Sequence, residues 1–469
     1  MKLDYKRTIL VGMAFLLITA FWQAYDAIVP LMLTNHFGLH HTTSGVIMSL
    51  DNILATFLLP FFGSLSDKVK GPHGRRTPFI LFGTVVAAVF FVALTFIDNY
   101  QLSRVIAAGI PEIEQGLMTD AELEKHILDL TMKLTLENPL PLVGFIATLL
   151  VMLVAMATFR SPAVALMPDV TVKPLRSKGN AIINLTGTAG GILVLVFGMV
   201  FATSKDAYMQ YTGYVLAVVG VMILALIVFL LTVKENAWSA DMERESARLG
   251  IDKEEKSESS DGGRRLSRAE KKSLLFILAS VALWYIGYNS ITSKYSVYAT
   301  NVLGFDFNLT LIIAQAAAII SYIPVGMISC RLGRKKTILA GVAMLATAFF
   351  IGIFITPTVP EPVMYSVFVL AGIGWATINV NSFPMVVELA RGGNVGKFTG
   401  YYYTASMAAQ IVAPTLSGIL YDKFDLRYVF FPFGTVFVAL SFVTMCFVMH
   451  GDNKPTERRR GLEALDIGD

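Results

Sequence analysis

Long apolar runs separated by short polar segments make up most of the chain. Each run holds about 20 residues, the length that a helix needs to cross the hydrocarbon core of a bilayer. We therefore predict an all-α membrane protein with twelve transmembrane helices. The expected spans cover residues 8–33, 43–66, 78–97, 142–168, 179–203 and 210–233 in the first half, and 273–300, 308–330, 337–356, 363–388, 398–420 and 428–449 in the second.

Positive charge is distributed unevenly between the segments that join the spans. If the N-terminus lies in the cytoplasm, the cytoplasmic segments hold 30 of the 38 Lys and Arg residues, and the outside loops hold 6. Cytoplasmic loops of membrane proteins carry such an excess. The pattern predicts that both termini are cytoplasmic. Only 15% of the residues are charged, against about 25% in soluble domains, which argues against a soluble protein.

Two segments between the spans are longer and more polar than the others. Residues 98–141 form an outside loop in which Ala121–Leu136 has the apolar spacing of a helix, and we expect this helix to cap the outer face. Residues 234–272 join the halves in the cytoplasm, and their Glu, Lys, Ser and Gly content predicts a disordered linker. The expected helical bundles are residues 1–233 and 273–450, followed by a cytoplasmic tail at 451–469.

A glycine, an acid and paired cations recur at the cytoplasmic ends of spans 2 and 8. The first copy runs from Gly63 to Arg76, and the second runs from Gly326 to Lys336 with Cys330 in the place of the acid. The halves match again in spans 4 and 10, which both end on an acid. We interpret this as a duplicated six-plus-six arrangement whose motif braces the closed inner gate, with direct proton transfer as the alternative role. The motif residues are Gly63, Asp67, Arg75, Arg76, Asp169, Gly326, Arg334 and Glu388.

The form G-x-x-x-D-[RK]…G-[RK]-[RK], which the second half repeats with Cys330 in the place of the acid, resembles the loop signature of the major facilitator superfamily. The long first loop, and Asn180 with Asn184 in span 5, resemble the sucrose-type proton symporters and their glycoside–pentoside–hexuronide relatives. The resemblance implies alternating access and a substrate site near mid-membrane between the halves. Two features depart from that group: Val164 stands where it has an arginine, and Ala55 and Leu59 stand where sodium-coupled members carry acids. Proton coupling is therefore preferred over sodium coupling.

Three charged side chains lie well inside the expected spans at a similar depth. At 1.5 Å per residue, Asp26, Asp51 and Lys294 each lie about 10 to 12 Å below the outer end of their span. Ionisable groups in lipid are costly and normally face a cavity or a partner. One acid could exchange a transported proton, and Lys294 could hold an acid across the halves while the outer gate is closed. The alternatives are a fixed structural ion pair, or a direct bond from Asp26 to a substrate hydroxyl.

Arg160 and a set of amide and aromatic side chains form the predicted substrate site. Arg160 lies in the inner half of span 4, where it could bind an anionic or polyhydroxyl substrate or tie off Asp169. Amides bind hydroxyl groups and aromatic rings stack on C–H faces, which suits sugars, although the same residues also serve in helix packing. The predicted substrate-binding residues are Trp22, Gln23, Tyr25, Arg160, Asn184, Tyr288, Asn289, Gln315, Trp375, Asn379 and Asn381.

The sequence shows no arrangement of residues typical of an enzyme. His36, His40 and His41 cluster in the first outside loop, without an acid or Cys at metal-ligand spacing, so we expect an exposed loop and no metal. The sequence has no phosphate-cradling loop for ATP, and the two cysteines do not indicate a disulfide. We expect no cofactor.

These observations favour a secondary transporter of the cytoplasmic membrane that carries a sugar or glycoside together with protons. Its expected partners are the small-molecule substrate, protons and the bilayer; we expect no nucleic acid and a monomer. Within transporters, the alternative is proton-driven efflux of amphipathic compounds, which a wide apolar cavity would favour. The alternative from another class is a transport-inactive solute sensor, which a folded cytoplasmic domain would support.

Overall fold

In the computed structural model, the regular elements of the described residues are all helical. The described residues are 3–69, 71–113, 120–172, 175–249, 267–389 and 395–450, so the predicted tail and the middle of the linker lie outside them. In chain order the helices are α1 (Tyr5–Leu31), α2 (His41–Lys68), α3 (Thr77–Ala107), α4 (Asp120–Glu137), α5 (Leu140–Val170), α6 (Arg176–Val200), α7 (Thr212–Thr232), α8 (Glu235–Leu249), α9 (Arg268–Thr292), α10 (Phe307–Leu332), α11 (Arg334–Gly352), α12 (Glu361–Glu388), α13 (Val395–Lys423) and α14 (Leu426–Cys446).

The all-α membrane architecture predicted from the apolar runs is confirmed. Among the described helices, 11 are long and apolar enough to cross a bilayer. The helix α13, at the place of the predicted eleventh span, is 29 residues long but is not one of them. Polar side chains such as Tyr401 and Gln410 interrupt its apolar positions. The count of twelve spans and the cytoplasmic position of the termini stay predictions.

Packing divides the transmembrane helices into two groups. In the first half, α1 packs on α6 and α7, and α3 packs on α5 and α7. In the second half, α9 packs on α13 and α14, and α11 packs on α12 and α14. Across the halves, α2 contacts α13 and α6 contacts α10. The helices α1 and α9, which occupy equivalent places, both continue through a wider π-helical turn, at Met32–His36 and Tyr298–Leu303.

The two halves meet closely at the end of the bundle where α1 ends and α2 begins, which we call the outer end. A Cβ atom at Gly45 of α2 would lie 2.3 Å from the carbonyl oxygen of Pro414 in α13. A Cβ atom at Gly418 would lie 2.6 Å from the carbonyl oxygen of His41. Small residues allow such close approach of two helix backbones. The outer end is therefore closed in this structure.

The helix α3 extends to Ala107, ten residues beyond its predicted end. Part of the expected outside loop is thus helical, because Asp98 and Gln101 are buried against the outer end of the first half. The amide of Gln101 donates to the hydroxyl of Thr135 in α4 at 2.8 Å. The helix predicted at Ala121–Leu136 is confirmed by α4, and such bonds hold it on the outer end.

The first part of the linker is helical, which corrects the prediction of disorder there. The helix α8 lies against α5 at the end of the first half opposite the outer end, which we call the inner end. Its Trp238 is buried, and the guanidinium of Arg7 lies 5.3 Å from the centre of the Trp238 ring. Arg7 also pairs with Asp241 at 3.1 Å. Composition alone missed this helix because a helix can dock through a narrow apolar stripe while the rest of its surface stays charged.

Candidate functional site

A polar cavity of about 210 Å³ lies between the two halves. The helices α1, α2 and α5 line it from the first half, and α9 and α13 line it from the second. Of its 11 lining residues in the described part of the chain, nine carry a polar side-chain atom. These lining residues are Trp22, Asp26, Met48, Asp51, Asn52, Arg160, Asn289, Thr292, Ser293, Gln410 and Pro414.

Two carboxylates line this cavity from the first half. Asp26 on α1 is exposed there, and Asp51 on α2 accepts a hydrogen bond from the amide of Asn52 at 2.8 Å. The sequence placed both acids at one depth, and the structure brings them to one cavity. A carboxylate with access to a polar cavity can take up and release protons, which a carboxylate packed in apolar surroundings cannot do readily.

Arg160 brings a positive charge to the same cavity. Its guanidinium lies 5.6 Å from the centre of the Trp22 ring, which is within the range of a cation–π interaction. The flat guanidinium and the indole ring therefore share one wall. A guanidinium offers a fork of N–H donors that suits a carboxylate or an acceptor pair. This pairing joins two residues that the sequence analysis had assigned to the substrate site.

Asn289 and Gln410 line the cavity from the second half. The Asn289 amide donates to the carbonyl oxygen of Tyr285 at 2.8 Å, and the Gln410 amide donates to the carbonyl oxygen of Ser406 at 3.3 Å. Each bond runs to the preceding helical turn and orients the side chain. The sequence analysis assigned Asn289, but not Gln410, to the substrate site.

The sequence analysis missed four polar residues of the lining. Asn52 directly follows Asp51, and Gln410 interrupts the apolar pattern of α13, so both left a signal in the sequence. Thr292 and Ser293 left none, because small hydroxyl residues are common in transmembrane helices and usually bond to their own backbone. Only their position at the end of α9 brings them to the cavity.

A second polar contact joins the halves away from the outer end. The amide of Gln315 on α10 donates to the side-chain oxygen of Gln23 on α1 at 2.7 Å. Both side chains lie beside Gly191 of α6, where an added Cβ atom would be 3.5 Å from the Gln315 oxygen and 3.6 Å from the Gln23 oxygen. Two predicted substrate residues thus bond to each other in this structure, and their role in substrate binding stays a prediction.

Two further predicted substrate residues stack on each other in the second half. The rings of Trp375 and Tyr288 lie 4.1 Å apart between centroids, with an interplanar angle of 20°. Trp284 contacts Trp375 edge-on at 5.3 Å. Both Trp375 and Tyr288 are half-buried, so part of each ring remains accessible. They form an aromatic surface on α9 and α12, although neither lines the cavity described above.

Other predicted substrate residues lie in more packed positions. Tyr25 is 1% exposed within the core of the first half. Asn381 is 2% exposed and accepts a hydrogen bond from Ser329, which joins α12 to α10. Asn184 and Asn379 are half-buried. The contacts of Tyr25 and Asn381 are those of helix packing, and a role in substrate binding stays a prediction for all four.

Lys294 is fully buried at the outer end of α9. Its ammonium donates to the hydroxyl of Ser44 on α2, so the contact crosses between the halves, and a gating role stays a prediction. Among the described residues, however, the ion pairs do not include one from Lys294 to Asp26 or Asp51. Asp422, at the end of α13, is the carboxylate that interacts electrostatically with Lys294.

Arg76 connects α2 and α5 at the inner end of the bundle. Its guanidinium donates to Asp169 at 2.8 Å and to Asp67 at 2.5 Å, while Arg75 pairs with Asp169 at 2.6 Å. Burial alone would lower the pKa of Arg76, but the carboxylates of Asp169 and Asp67 outweigh this effect and raise it. These contacts are consistent with the bracing role, which stays a prediction.

Glu235, the first residue of α8, caps α3 at the inner end of the bundle. Its carboxylate accepts hydrogen bonds from the backbone N–H groups of Arg75 (2.7 Å), Arg76 (2.8 Å) and Thr77 (2.9 Å), and from the Thr77 hydroxyl (2.7 Å). A carboxylate at a helix N-terminus satisfies N–H groups that lack partners in the helix. The sequence analysis missed Glu235 because it assigned that residue to the linker.

The second copy of the loop motif is described in part. Gly326 is buried in α10, and Arg334 begins α11 with 9% of its surface exposed. The side chain of Glu388, the predicted counterpart of Asp169, lies outside the described residues.

The prediction of an exposed histidine loop is wrong for His36 and His41. His36 is fully buried, with Nδ1 2.8 Å from the carboxylate of Asp98 and Nε2 3.2 Å from the carbonyl oxygen of Ala207. His41 is 7% exposed at the start of α2. The prediction failed because α1 continues through its π-helical turn as far as His36, and α4 then covers this end of the bundle.

Comparison with protein families explains this architecture. The family model of the Major Facilitator Superfamily matches residues 11–409, with a second match at residues 315–466. The chain belongs to the Major Facilitator Superfamily. It is therefore a multi-pass membrane transporter by family, with the two halves and the cavity between them as described. No curated protein matches the chain in sequence.

Solved structures of superfamily transporters share this fold. The xylose transporter XylE from E. coli in its inward open conformation has a TM-score of 0.64 at 14% identity, covering 97% of this chain and 98% of that one. A POT family transporter in complex with 5-aminolevulinic acid has a TM-score of 0.66 at 12% identity, covering 94% and 96%. A D-xylose-proton symporter has a TM-score of 0.61 at 15% identity, covering 95% and 98%. At such identities these similarities establish the fold alone.

Proposed function

We propose that this superfamily member is a proton-coupled symporter that carries a sugar or glycoside across the cytoplasmic membrane by alternating access. The observation that carries the proposal is the polar cavity between the halves, where Asp26, Asp51 and Arg160 lie together. Contacts between the halves close the outer end, as one state of an alternating-access cycle requires.

The lining of the cavity supports a hydroxyl-rich solute. Three amide side chains there can each donate and accept hydrogen bonds, and Arg160 adds a fork of donors. Trp22 offers a ring that can lie against the C–H face of a sugar. An amphipathic efflux substrate would need mainly apolar walls, but in this lining Met48 and Pro414 alone lack a polar side-chain atom.

The two carboxylates support proton coupling. A proton bound to Asp26 or Asp51 would change the net charge of the cavity that Arg160 shares. Binding of the proton and of the solute would then depend on each other, which is the coupling that symport needs. Ala55 and Leu59, in the place of the acids of sodium-coupled relatives, support protons over sodium.

The similar structures agree with this proposal but do not identify the solute. Two of them are xylose transporters, and one of these is named a proton symporter. A third is a POT family transporter in complex with 5-aminolevulinic acid, so the fold accommodates other solutes.

Assignment to the sucrose-type group rests on the loop motif and Asn184, and the monomeric state is likewise a proposal. A solute sensor has less support, because the described part of the linker contains only α8 between the halves.

Uptake by purified protein in proteoliposomes tests the proposal. With an imposed pH gradient, acidic outside, we expect one member of a panel of labelled sugars to accumulate above its external concentration. Asp26→Asn and Asp51→Asn should abolish this accumulation while exchange without a gradient survives. Glu243→Gln, an exposed acid of α8, is the matched control.

Two results would contradict the proposal. Full accumulation in both Asp→Asn variants would reject the proton role of the cavity carboxylates. Absence of sugar accumulation, combined with gradient-driven expulsion of an amphipathic dye, would favour efflux instead.

A further inference from the structure

The helix α2 is capped at its outer end by a residue of the other half. Its own N-cap residue, His40, makes no capping hydrogen bond through its side chain. Instead, the carboxylate of Asp422 on α13 accepts hydrogen bonds from the backbone N–H groups of His41 (2.6 Å) and Thr42 (2.7 Å). The first N–H groups of a helix need such acceptors. The cap of α2 therefore exists only while the two halves touch.

Three other helices take an acidic cap from their own chain segment, whereas α3 takes its cap, Glu235, from the linker helix α8. Asp4 caps α1, Asp306 caps α10 and Asp425 caps α14, and each of these acids directly precedes its helix. The comparison with α10 is the most informative, because α10 is the counterpart of α2 in the second half. The cap of α10 does not require contact between the two halves, whereas the cap of α2 does.

The surroundings of Asp422 strengthen this contact in the closed state. Lys294, two residues after the end of α9 in the same half, donates to Ser44 one turn further along α2. The ring of Tyr421 lies edge-on to His41, with centroids 6.0 Å apart. Asp422 itself is exposed, so its two backbone hydrogen bonds, and not burial of the carboxylate, carry this contact. A hydrogen bond to an ionised acceptor is stronger than one between neutral groups.

We propose that Asp422 is the residue that latches the outer gate. Its carboxylate stabilises the outward-closed state by capping α2, and it leaves the helix end when the outer face opens. In the open state, water solvates both the carboxylate and the free N–H groups, so loss of the carboxylate weakens the closed state more than the open one. The inference rests on alternating access as proposed above, but it goes beyond it by assigning the position that sets the balance between the two states.

Labelling of a reporter cysteine from outside tests the latch. The chain has two natural cysteines, which Cys330→Ser and Cys446→Ser remove. Met48→Cys then places a thiol in the cavity lining, one turn below Ser44, where an impermeant maleimide added outside arrives only if the outer face opens. In intact cells, Asp422→Asn should raise the labelling rate about tenfold, which corresponds to about 1.4 kcal/mol.

Matched variants separate the latch from a general loss of stability. Asp422→Glu keeps the charge on a longer side chain and should give an intermediate rate. Asp425→Asn removes the cap of α14 within one half and should leave the rate unchanged. Each variant is included only if it elutes from size-exclusion chromatography like the parent. If Asp422→Asn does not fold, the labelling rate of Asp422→Glu is compared with that of the parent instead.

The outcomes distinguish this inference from the proposed function. Equal labelling rates in the parent, Asp422→Asn and Asp422→Glu would overturn the latch, even if sugar uptake in the parent is normal. Equal acceleration by Asp425→Asn would also overturn it, because the effect would then not depend on contact between the halves. Labelling needs neither sugar nor a proton gradient, so a parent without sugar uptake still reports on the gate.

Discussion

Removal of the Glu235 carboxylate tests the most unexpected contact at the inner end of the bundle. This side chain accepts four hydrogen bonds at the start of α3 and is 3% exposed. It also fixes the backbone that carries Arg75 and Arg76. Glu235→Ala should therefore loosen the first turn of α3 and the adjoining loop.

The size of the effect follows from the bonds that are lost. One helix cap contributes about 0.5 to 2 kcal/mol, and one hydrogen bond to a charged group contributes about 1.5 to 3 kcal/mol. The loss of all four bonds would cost more free energy than either value, but after truncation water can reach the loop and replace some of the lost bonds. We therefore expect local opening to become easier by about 3 kcal/mol, a change of about a hundredfold in the opening equilibrium.

Hydrogen exchange measured by mass spectrometry on peptides that cover residues 71–80 reports this equilibrium directly. Protection of these amides should fall about a hundredfold in Glu235→Ala and by less in Glu235→Gln, which keeps one acceptor oxygen. Glu243→Ala, an exposed position on the same helix, is the control. Unchanged protection in Glu235→Ala, or an equal fall in the control, would refute the capping role.

Three further predictions concern transport and its gate. Arg160→Ala should raise the KM for the transported solute at least about tenfold, with a smaller effect of Arg160→Lys; an unaltered KM would return Arg160 to a packing role. Gly45→Val should keep the outer end from closing and abolish uptake, because the new Cβ atom would lie 2.3 Å from the carbonyl oxygen of Pro414. Gly220→Val is the control and should transport normally, because no heavy atom of a neighbouring residue lies within 4 Å of its Cβ position. Lys294→Ala should speed outside labelling of the reporter thiol, since Ser44 loses its partner across the halves; an unchanged rate would exclude Lys294 from the gate.

Much of the membrane architecture could be predicted because it depends on local composition. A bilayer requires about 20 apolar residues per span, so each span is visible without knowledge of its neighbours. The cavity charges could be predicted for a related reason. Asp26, Asp51 and Arg160 lie in runs that are otherwise apolar, and ionisable groups in a bilayer need a cavity or a partner. The structure places all three in one cavity.

The side of each helix that faces the cavity could not be predicted in the same way. Tyr25 lies on α1, which lines the cavity, yet its side chain is buried in packing. Asn381 is likewise buried in packing, on α12, which does not line the cavity. Lys294 was expected to meet an acid across the halves and instead meets the hydroxyl of Ser44. Helix rotation depends on how neighbouring helices pack, and residue spacing within one helix does not contain that information.

By itself, the sequence determined the apolar spans, the uneven distribution of positive charge between their loops and the few ionisable groups within them, because each of these follows from local polarity relative to the bilayer. The tertiary structure alone decided the pairings between distant segments. Glu235 caps a helix that begins at Thr77, and Asp422 caps one that begins at His41. Such bonds form where helix ends with unpaired N–H groups meet an anion, and only the packing of the two halves determines which anion that is.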